Sequence, residues 1–547
     1  MLYWGARHDR HDACSCSSSL LTALSEIDGV FHIPRECLLL QLVLAAAIAS
    51  ASIWCGGRAA ARESIWPVPQ WQASTPEAEG MDSAALAQLV AYGQAHSFDS
   101  LLIVRHGRIV LDAYYAPYTA EIPHIANSVT KAVTGTLIAI ALNEGLLDSL
   151  DHPVLEFFKD RRIANVDNRK RAMTVRHLLD MTSGFEWDEG FEGGREQSLT
   201  DMGRSDDWVQ FILDRPMAHT PGDLFYYNTG NAYLLSAIIQ KLSGRSAGDY
   251  ADAKLFAPLG IAPPFWRSTS SGLTMRGCCL MLLPRDMARI GYLYLRGGEW
   301  AGQQLLPSSY VDAVNHATVD MHSSFDPGLR YSQLFWALPD KHVVMAEGDH
   351  CHLIMLFPDL DIVAVTTARD YCSFRQFAGH VARAVQSDSA LPTNPEATDR
   401  LTRELNEVAK EKPIAVGPMP DIAAAVSGVT LAFSDNALNL KALSLMLAGP
   451  DPGYRLDIYT HDATNSSIRL DGLIGLDGFY RKGKPDALGV RAARGSWLDQ
   501  RTFSIDFSYV GLDEQHSWQL SFDGDHVTLR SKTHDGHEIA VEGKRGE

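Results

Sequence analysis

Beyond about residue 428 the chain changes its hydrophobic period. Phe503, Ile505, Phe507 and Tyr509 alternate with Ser504, Asp506 and Ser508, and Trp518, Leu520 and Phe522 repeat the pattern ahead of Asp523-Gly524. A period of two belongs to strands with one buried face, and Asp-Gly closes hairpins. Many short strands of this kind predict an all-β barrel or sandwich over 426–547. Upstream the pattern is mixed. Ser100–Arg105 and Arg108–Tyr115 are apolar runs joined at His106-Gly107, a predicted hairpin. Asp82 can cap a helix. Helical periods follow to Gly145, over Val175–Asp180 after Thr174, and over Asn231–Leu242 and Arg285–Arg296. Val343–Phe357 and Asp361–Thr367 frame Pro358-Asp359 and read as two adjacent strands, and Phe374–Val385 reads as a last helix. That order predicts an α+β fold over 66–387, an antiparallel sheet flanked by helices with an all-helical subregion. Residues 388–425 read as a linker containing a helix, Thr398–Lys410.

A chain of 547 residues is too long for one ordinary domain. Its formal charge of −18 argues against nucleic acid as a partner. Residues 1–62 form an N-terminal extension. Within it the 19-residue stretch 37–55 is uncharged and rich in Leu and Ala, and it precedes Ala59-Ala60-Ala61. It reads as the apolar core of a secretory signal, and its length also permits a membrane anchor. The expected location is therefore periplasmic or extracellular, with or without anchoring. The cysteines offer no zinc-finger spacing. Buried free thiols are the simplest reading of Cys278, Cys279, Cys351 and Cys372; a bridge from one of the first two to Cys351 or Cys372 is the alternative.

Chemistry concentrates at Asn127-Ser128-Val129-Thr130-Lys131, just ahead of an apolar helical stretch. A serine hydroxyl is a poor nucleophile alone. A lysine three positions on shares its helix face and can take its proton if burial keeps the amine neutral. A second element, Phe225-Tyr226-Tyr227-Asn228-Thr229-Gly230, lies in a loop before a helix. Its Tyr-x-Asn triplet can point the Tyr226 hydroxyl and the Asn228 amide the same way. Together these are parts for acyl transfer. Ser128 attacks a carbonyl, Lys131 or a Tyr226 phenol of lowered pKa accepts the proton, and Tyr226 hands it to the leaving group. Asn228 bonds the lysine and orients substrate.

With these strings the chain resembles the serine hydrolases built on the class C β-lactamase and penicillin-binding-protein fold. That group includes carboxylesterases, D-stereospecific peptidases and 6-aminohexanoate-dimer hydrolases. The resemblance spans roughly Pro69 to Val385. It rests also on Leu102–Gly107, on His177-Leu178-Leu179-Asp180-Met181-Thr182-Ser183-Gly184, on Pro221-Gly222 and on Pro284–Arg289. It implies Ser128 as nucleophile, Lys131 as its base and Tyr226 as the second-motif tyrosine. It also implies an oxyanion hole from two backbone N–H groups, those of Ser128 and His352.

The third family motif normally reads Lys or His, a small residue, then Gly, on an inner strand. Counting back from Pro358 places it at Asp349-His350-Cys351, with no Lys and no closing Gly. An aspartate there repels the carboxylate of a β-lactam, so a small ester or amide is the expected substrate. A one-residue shift of register brings His350 or His352 into the role instead.

No cofactor is expected. A thiol nucleophile at Cys351 with His350 or His352 lacks an ordering third group. A metal held by Asp349, His350 and His352 lacks a further ligand, so no metal is expected. Two rival functions stand beside the hydrolase: a non-catalytic binding protein on the same scaffold, and a D-amino-acid peptidase or β-lactamase.

Overall fold

The computed structural model describes residues 64–190, 195–266, 280–459, 467–485, 489–512, 514–532 and 538–546. The signal-like stretch 37–55 and the Cys278-Cys279 pair lie outside them. Among the described residues no helix is long and apolar enough to cross a membrane. The chain divides into two units, Met1–Ser64 and Ile65–Glu547. The second unit holds the elements that position the site.

Helix α1 (Ser83–Ala95) starts where expected, because the Asp82 carboxylate accepts from the Ala84 N–H at 2.9 Å. The predicted hairpin is β1 (Phe98–Arg105) and β2 (Arg108–Tyr114). Strand β1 is buried along its whole length, as a central strand should be. A short strand β3 (His124–Ile125) leads into α2 (Val129–Asn143). Helix α2 is buried nearly all round, which explains its lack of a polar face. Short helices between Asn168 and Ala251 form the all-helical subregion with α3 (Thr229–Ser243). Strand β4 (Leu280–Leu282) pairs with β3 and precedes α4 (Pro284–Leu295), which packs on the sheet.

Strands β5 (Arg330–Ser332), β6 (Phe335–Leu338), β7 (Val343–Gly348), β8 (His352–Phe357) and β9 (Ile362–Ala368) follow, then α5 (Phe374–Ala384). The main sheet has nine strands, ordered β2-β1-β9-β8-β7-β6-β5 between two-residue edges at Gln72–Ala73 and Val319–Asp320. All pairs are antiparallel except Gln72–Ala73 with β2. One expectation fails here. Val343–Phe357 is not one strand but a hairpin, with Gly348 opposite His352 and a turn at Asp349-His350-Cys351. Both arms are buried, so the apolar run carries on either side of a turn that has no glycine of its own.

The stretch after 387 begins anchored. The buried Arg105 guanidinium donates to Glu79 O at 2.7 Å and Ser387 O at 2.9 Å. Helix α6 (Pro395–Val408) then lies on α1, with Leu401 and Val408 buried. From Thr430 to Arg545 ten antiparallel strands form one sheet, and a bridge between Gly475 and Arg494 brings its two ends together. This is a nearly closed barrel rather than a sandwich. Its interior holds Leu443, Leu456, Phe503, Ile505, Leu520 and Leu529, the inward half of the period-two pattern.

Candidate active site

The segment that delivers Ser128 is held from two sides. Ile125 N–H donates to Gly511 O of the barrel at 2.7 Å, and Ala126 N–H donates to Leu280 O of β4 at 2.7 Å. Asn127 then takes a left-handed backbone with φ 45°, which asparagine tolerates better than most residues. Its side-chain amide donates to Asp349 O at 3.1 Å. Ser128 follows as the N-cap of α2 but makes no side-chain cap bond, so its hydroxyl stays free for other partners.

One helical turn on, Lys131 is almost wholly buried and its Nζ donates to Ser128 Oγ at 2.8 Å. Burial pushes the lysine pKa down, against the opposing pull of Glu189 and Glu347. The ammonium also lies 4.9 Å from the centre of the Tyr227 ring.

The expected tyrosine is displaced by one residue. Tyr227, not Tyr226, has its phenol hydrogen-bonded to Ser128 and lines the cleft. Burial drives the Tyr227 pKa well above its ordinary value, with help from Tyr331, Glu347 and Glu189; the Ser128 bond opposes this. Tyr226 turns its hydroxyl to the backbone of Glu189, and burial and the Asp188 charge raise its pKa rather than lowering it. Asn228 also leaves the cleft. It is the buried N-cap residue of α3, and its side-chain oxygen has no partner, so it does not accept from Lys131. The N-terminus of α3 is satisfied instead by Glu189, whose carboxylate accepts from the Thr229 N–H, the Thr229 hydroxyl and, at 2.7 Å, Trp187 Nε1.

The inner-strand motif also shifts. The residue against Ser128 is Gly348, at the end of β7. A Cβ there would stand 2.7 Å from Ala126 O and 3.1 Å from Ser128 N, so only glycine fits the approach. Glu347 and Asp349 flank it and line the cleft. Burial and Asp349 push the Glu347 pKa up to about 8, against the pull of Lys131. His352 is buried, with Nδ1 2.8 Å from Asp349 O, and does not line the cleft. His350 sits in the turn, Nδ1 3.8 Å from Asp349 and its ring 5.0 Å from that of Tyr371. Cys351 is bonded to Cys372 with Cα atoms 5.6 Å apart, which replaces the free-thiol reading and removes Cys351 as a nucleophile. No cluster of three or more metal-ligating side chains exists among the described residues.

The cleft has a volume of about 890 Å³, enough for a small organic substrate. One wall is aromatic: the Trp336 ring lies 6.3 Å from Tyr227, 6.5 Å from Phe325 and 6.1 Å from Phe374. A serine hydroxyl in contact with a buried amine and a phenol, at a cleft of this size, is a set suited to acyl transfer.

Comparison with known proteins agrees with this architecture. The family model described as Beta-lactamase matches residues 84–365, more than half of the chain. The chain therefore belongs to the beta-lactamase family. A 6-aminohexanoate-dimer hydrolase from Paenarthrobacter ureafaciens is 24% identical over 289 residues, covering 49% of this chain and 71% of that one. Protein flp of Staphylococcus aureus is 28% identical over 182 residues, 31% of this chain and 35% of that one. Among solved structures, EstCE1, a hydrolase with promiscuous acyltransferase activity, matches with a TM-score of 0.45 and 16% identity over 56% of this chain and 99% of that one.

Proposed function

We propose that the protein is a serine hydrolase that cleaves a small ester or amide through an acyl-enzyme on Ser128. The observation that carries this is the 2.8 Å contact between Ser128 Oγ and the buried Lys131 amine. Burial disfavours the charged ammonium, so Lys131 is disposed to act as a base. Tyr227 is disposed the other way, because its raised pKa keeps the phenol neutral and able to donate.

In the first half-reaction Ser128 Oγ bonds to the substrate carbonyl carbon while its proton passes to Lys131. The carbonyl oxygen becomes an oxyanion. The backbone N–H groups of Ser128 and Asp349 are its candidate donors, since Gly348 brings the end of β7 against Ser128 N. Collapse breaks the bond to the leaving group, which takes a proton from Tyr227, and Lys131 restores that proton to the phenol. Water then attacks the acyl-enzyme by the same route in reverse, releasing the acid and free Ser128. Asp349 disfavours a substrate carboxylate at this end of the cleft, which argues against β-lactams.

A Cys351–Cys372 bond is suited to an oxidising compartment. With the signal-like stretch 37–55 it supports a place outside the cytosol. The deciding experiment is covalent labelling of Ser128 by a fluorophosphonate, with hydrolysis of p-nitrophenyl esters measured beside it. Ser128→Ala should remove both while leaving the melting temperature nearly unchanged. A wild-type protein that neither labels nor turns over would favour the non-catalytic binding reading.

A further inference from the structure

The turn that carries the candidate oxyanion donor is tied, residue by residue, to one other segment of the chain. The Tyr371 phenol bonds the Asp349 carboxylate. The Tyr371 ring lies 5.0 Å from that of His350. Cys372 is joined to Cys351. Successive turn residues thus meet successive residues of the segment between β9 and α5. That segment is itself anchored at both ends. Arg369 Nε donates to Asp99 at 2.9 Å, and Arg375 donates to Asp340 at 2.6 Å and to Asp326 at 3.0 Å.

The turn needs such a tie. His350 and Cys351 both hold left-handed backbone, φ 60° and 63°, without glycine, a conformation that persists only where its surroundings enforce it. Its relaxation would reach the site. Gly348, immediately before the turn, is packed against the backbone of Ala126 and Ser128, and Asp349 O accepts from the Asn127 amide at 3.1 Å. A turn that opens therefore shifts the Asp349 N–H relative to that of Ser128, the other candidate donor. Hydrogen bonds from the Thr366 hydroxyl to Cys351 O and between His352 Nδ1 and Asp349 O add support. The covalent tie differs from these because it exists only when oxidised. Its two sulfurs are also unequally placed: Cys351 is buried, whereas Cys372 is half-buried and lines the same cleft as Ser128. A thiolate entering the cleft meets Cys372 Sγ first.

Resting on the hydrolase reading above, we propose that the Cys351–Cys372 bond is a redox switch on the site, which holds the oxyanion turn in working shape when formed and releases it when reduced. Activity then begins only in an oxidising compartment. A small dithiol opens the switch. One of its thiolates attacks Cys372 Sγ, the Cys351–Cys372 bond breaks, and Cys351 leaves as a thiolate that takes a proton. The second thiolate of the reagent then displaces Cys372 Sγ, which takes the other proton. The protein gains two thiols and the reagent becomes a cyclic disulfide. Oxidised glutathione runs the exchange the other way, through a mixed disulfide, and leaves as two thiols.

The full chain is assayed with p-nitrophenyl butyrate as isolated, after dithiothreitol and desalting, and after reoxidation with oxidised glutathione. Reduction should lower kcat/KM about tenfold or more, and reoxidation should restore it. The reduced protein should still melt above the assay temperature. Cys372→Ser should match the reduced protein and respond to neither reagent. A reduced protein within about threefold of the oxidised one, or a Cys372→Ser variant as active as the oxidised wild type, would overturn the proposal. So would a loss that merely tracks global unfolding at the assay temperature. Amide hydrogen exchange in Ser128→Ala separates this inference from the hydrolase reading. On reduction the amides of residues 348–352 should exchange about tenfold or more faster, with those of β1 unmoved. Faster exchange confined to the turn supports redox control of it even if no ester is turned over. Unchanged exchange overturns it even if Ser128 is a proven nucleophile.

Discussion

Substituting Gly348 by alanine puts one methyl group where the main sheet meets Ser128. An ideal Cβ there stands 2.7 Å from Ala126 O and 3.1 Å from both Asn127 Cβ and Ser128 N. The first distance is shorter than real Cβ contacts, and its partner is backbone, which cannot rotate away. Relief to an ordinary contact of about 3.4 Å requires a shift of about 0.7 Å between β7 and the segment 126–128. That segment cannot recede freely, because Ile125 and Ala126 are bonded to Gly511 and Leu280. Overpacking of this kind typically costs about 1–3 kcal/mol, a drop of several degrees in melting temperature. The catalytic cost should be larger in proportion. A misplacement approaching 1 Å costs on the order of 100-fold in rate when reacting groups must be aligned. The assay is the second-order rate of fluorophosphonate labelling at Ser128, with kcat/KM for a p-nitrophenyl ester and thermal melting beside it. Gly203→Ala is the control, since a Cβ there meets nothing within 4 Å. A Gly348→Ala protein that labels and melts like the wild type would refute the claim that Gly348 sets the approach of β7 to Ser128.

The two adjacent tyrosines separate cleanly. Tyr227→Phe should lower kcat on the order of 100-fold or more by removing the proton donor, whereas Tyr226→Phe should stay within a fewfold of wild type; equal losses would remove Tyr227 from its role. Because burial depresses the Lys131 pKa, kcat/KM should rise with pH through that depressed value and be lost as acid restores the ammonium. A profile flat down to pH 5 would show that Lys131 is not the base. Cys372→Ser opens a bridge between residues 21 apart in sequence, and loop-closure entropy sets the loss at about 3 kcal/mol, read by chemical denaturation under non-reducing conditions. At the barrel junction Gly511 has φ 94°, and a Cβ there would stand 2.2 Å from Pro123 O; Gly511→Ala should therefore lower both stability and activity although it lies far from Ser128 in sequence.

The parts of the fold that are legible in the sequence are those where a buried face imposes a period. The β1–β2 hairpin, helix α2 and the alternating strands around Phe503–Tyr509 follow from hydrophobic spacing and turn residues alone. Ser128 and Lys131 are legible for a related reason, since three residues along a helix fixes which side chains meet. The choice between Tyr226 and Tyr227 is not, because it depends on where α3 begins. Started at Asn231, the helix leaves residues 226–230 in a loop whose side chains are free to point anywhere. The helix begins at Thr229 instead, and Asn228 is extended with φ −144° and ψ 101°. Neighbours on extended backbone face opposite ways. Tyr227 therefore takes the cleft while Asn228 goes to the interior.

The turn at Asp349-His350-Cys351 is hard to read for the opposite reason: its two left-handed positions carry neither glycine nor asparagine. His350 and Cys351 adopt φ values of 60° and 63° without glycine, a conformation that needs outside support. That support comes from distant residues. Cys372 bonds Cys351, the Thr366 hydroxyl donates to Cys351 O, and Asn127 donates to Asp349 O. None of these contacts is encoded by local spacing. The one local clue is compositional: Glu347 is the first carboxylate in the apolar run from Val343, and Gly348 stands beside it. An acidic residue on a buried strand is expensive unless something makes use of it. Here it lines the same cleft as Ser128, one residue from the glycine that lets β7 approach that serine.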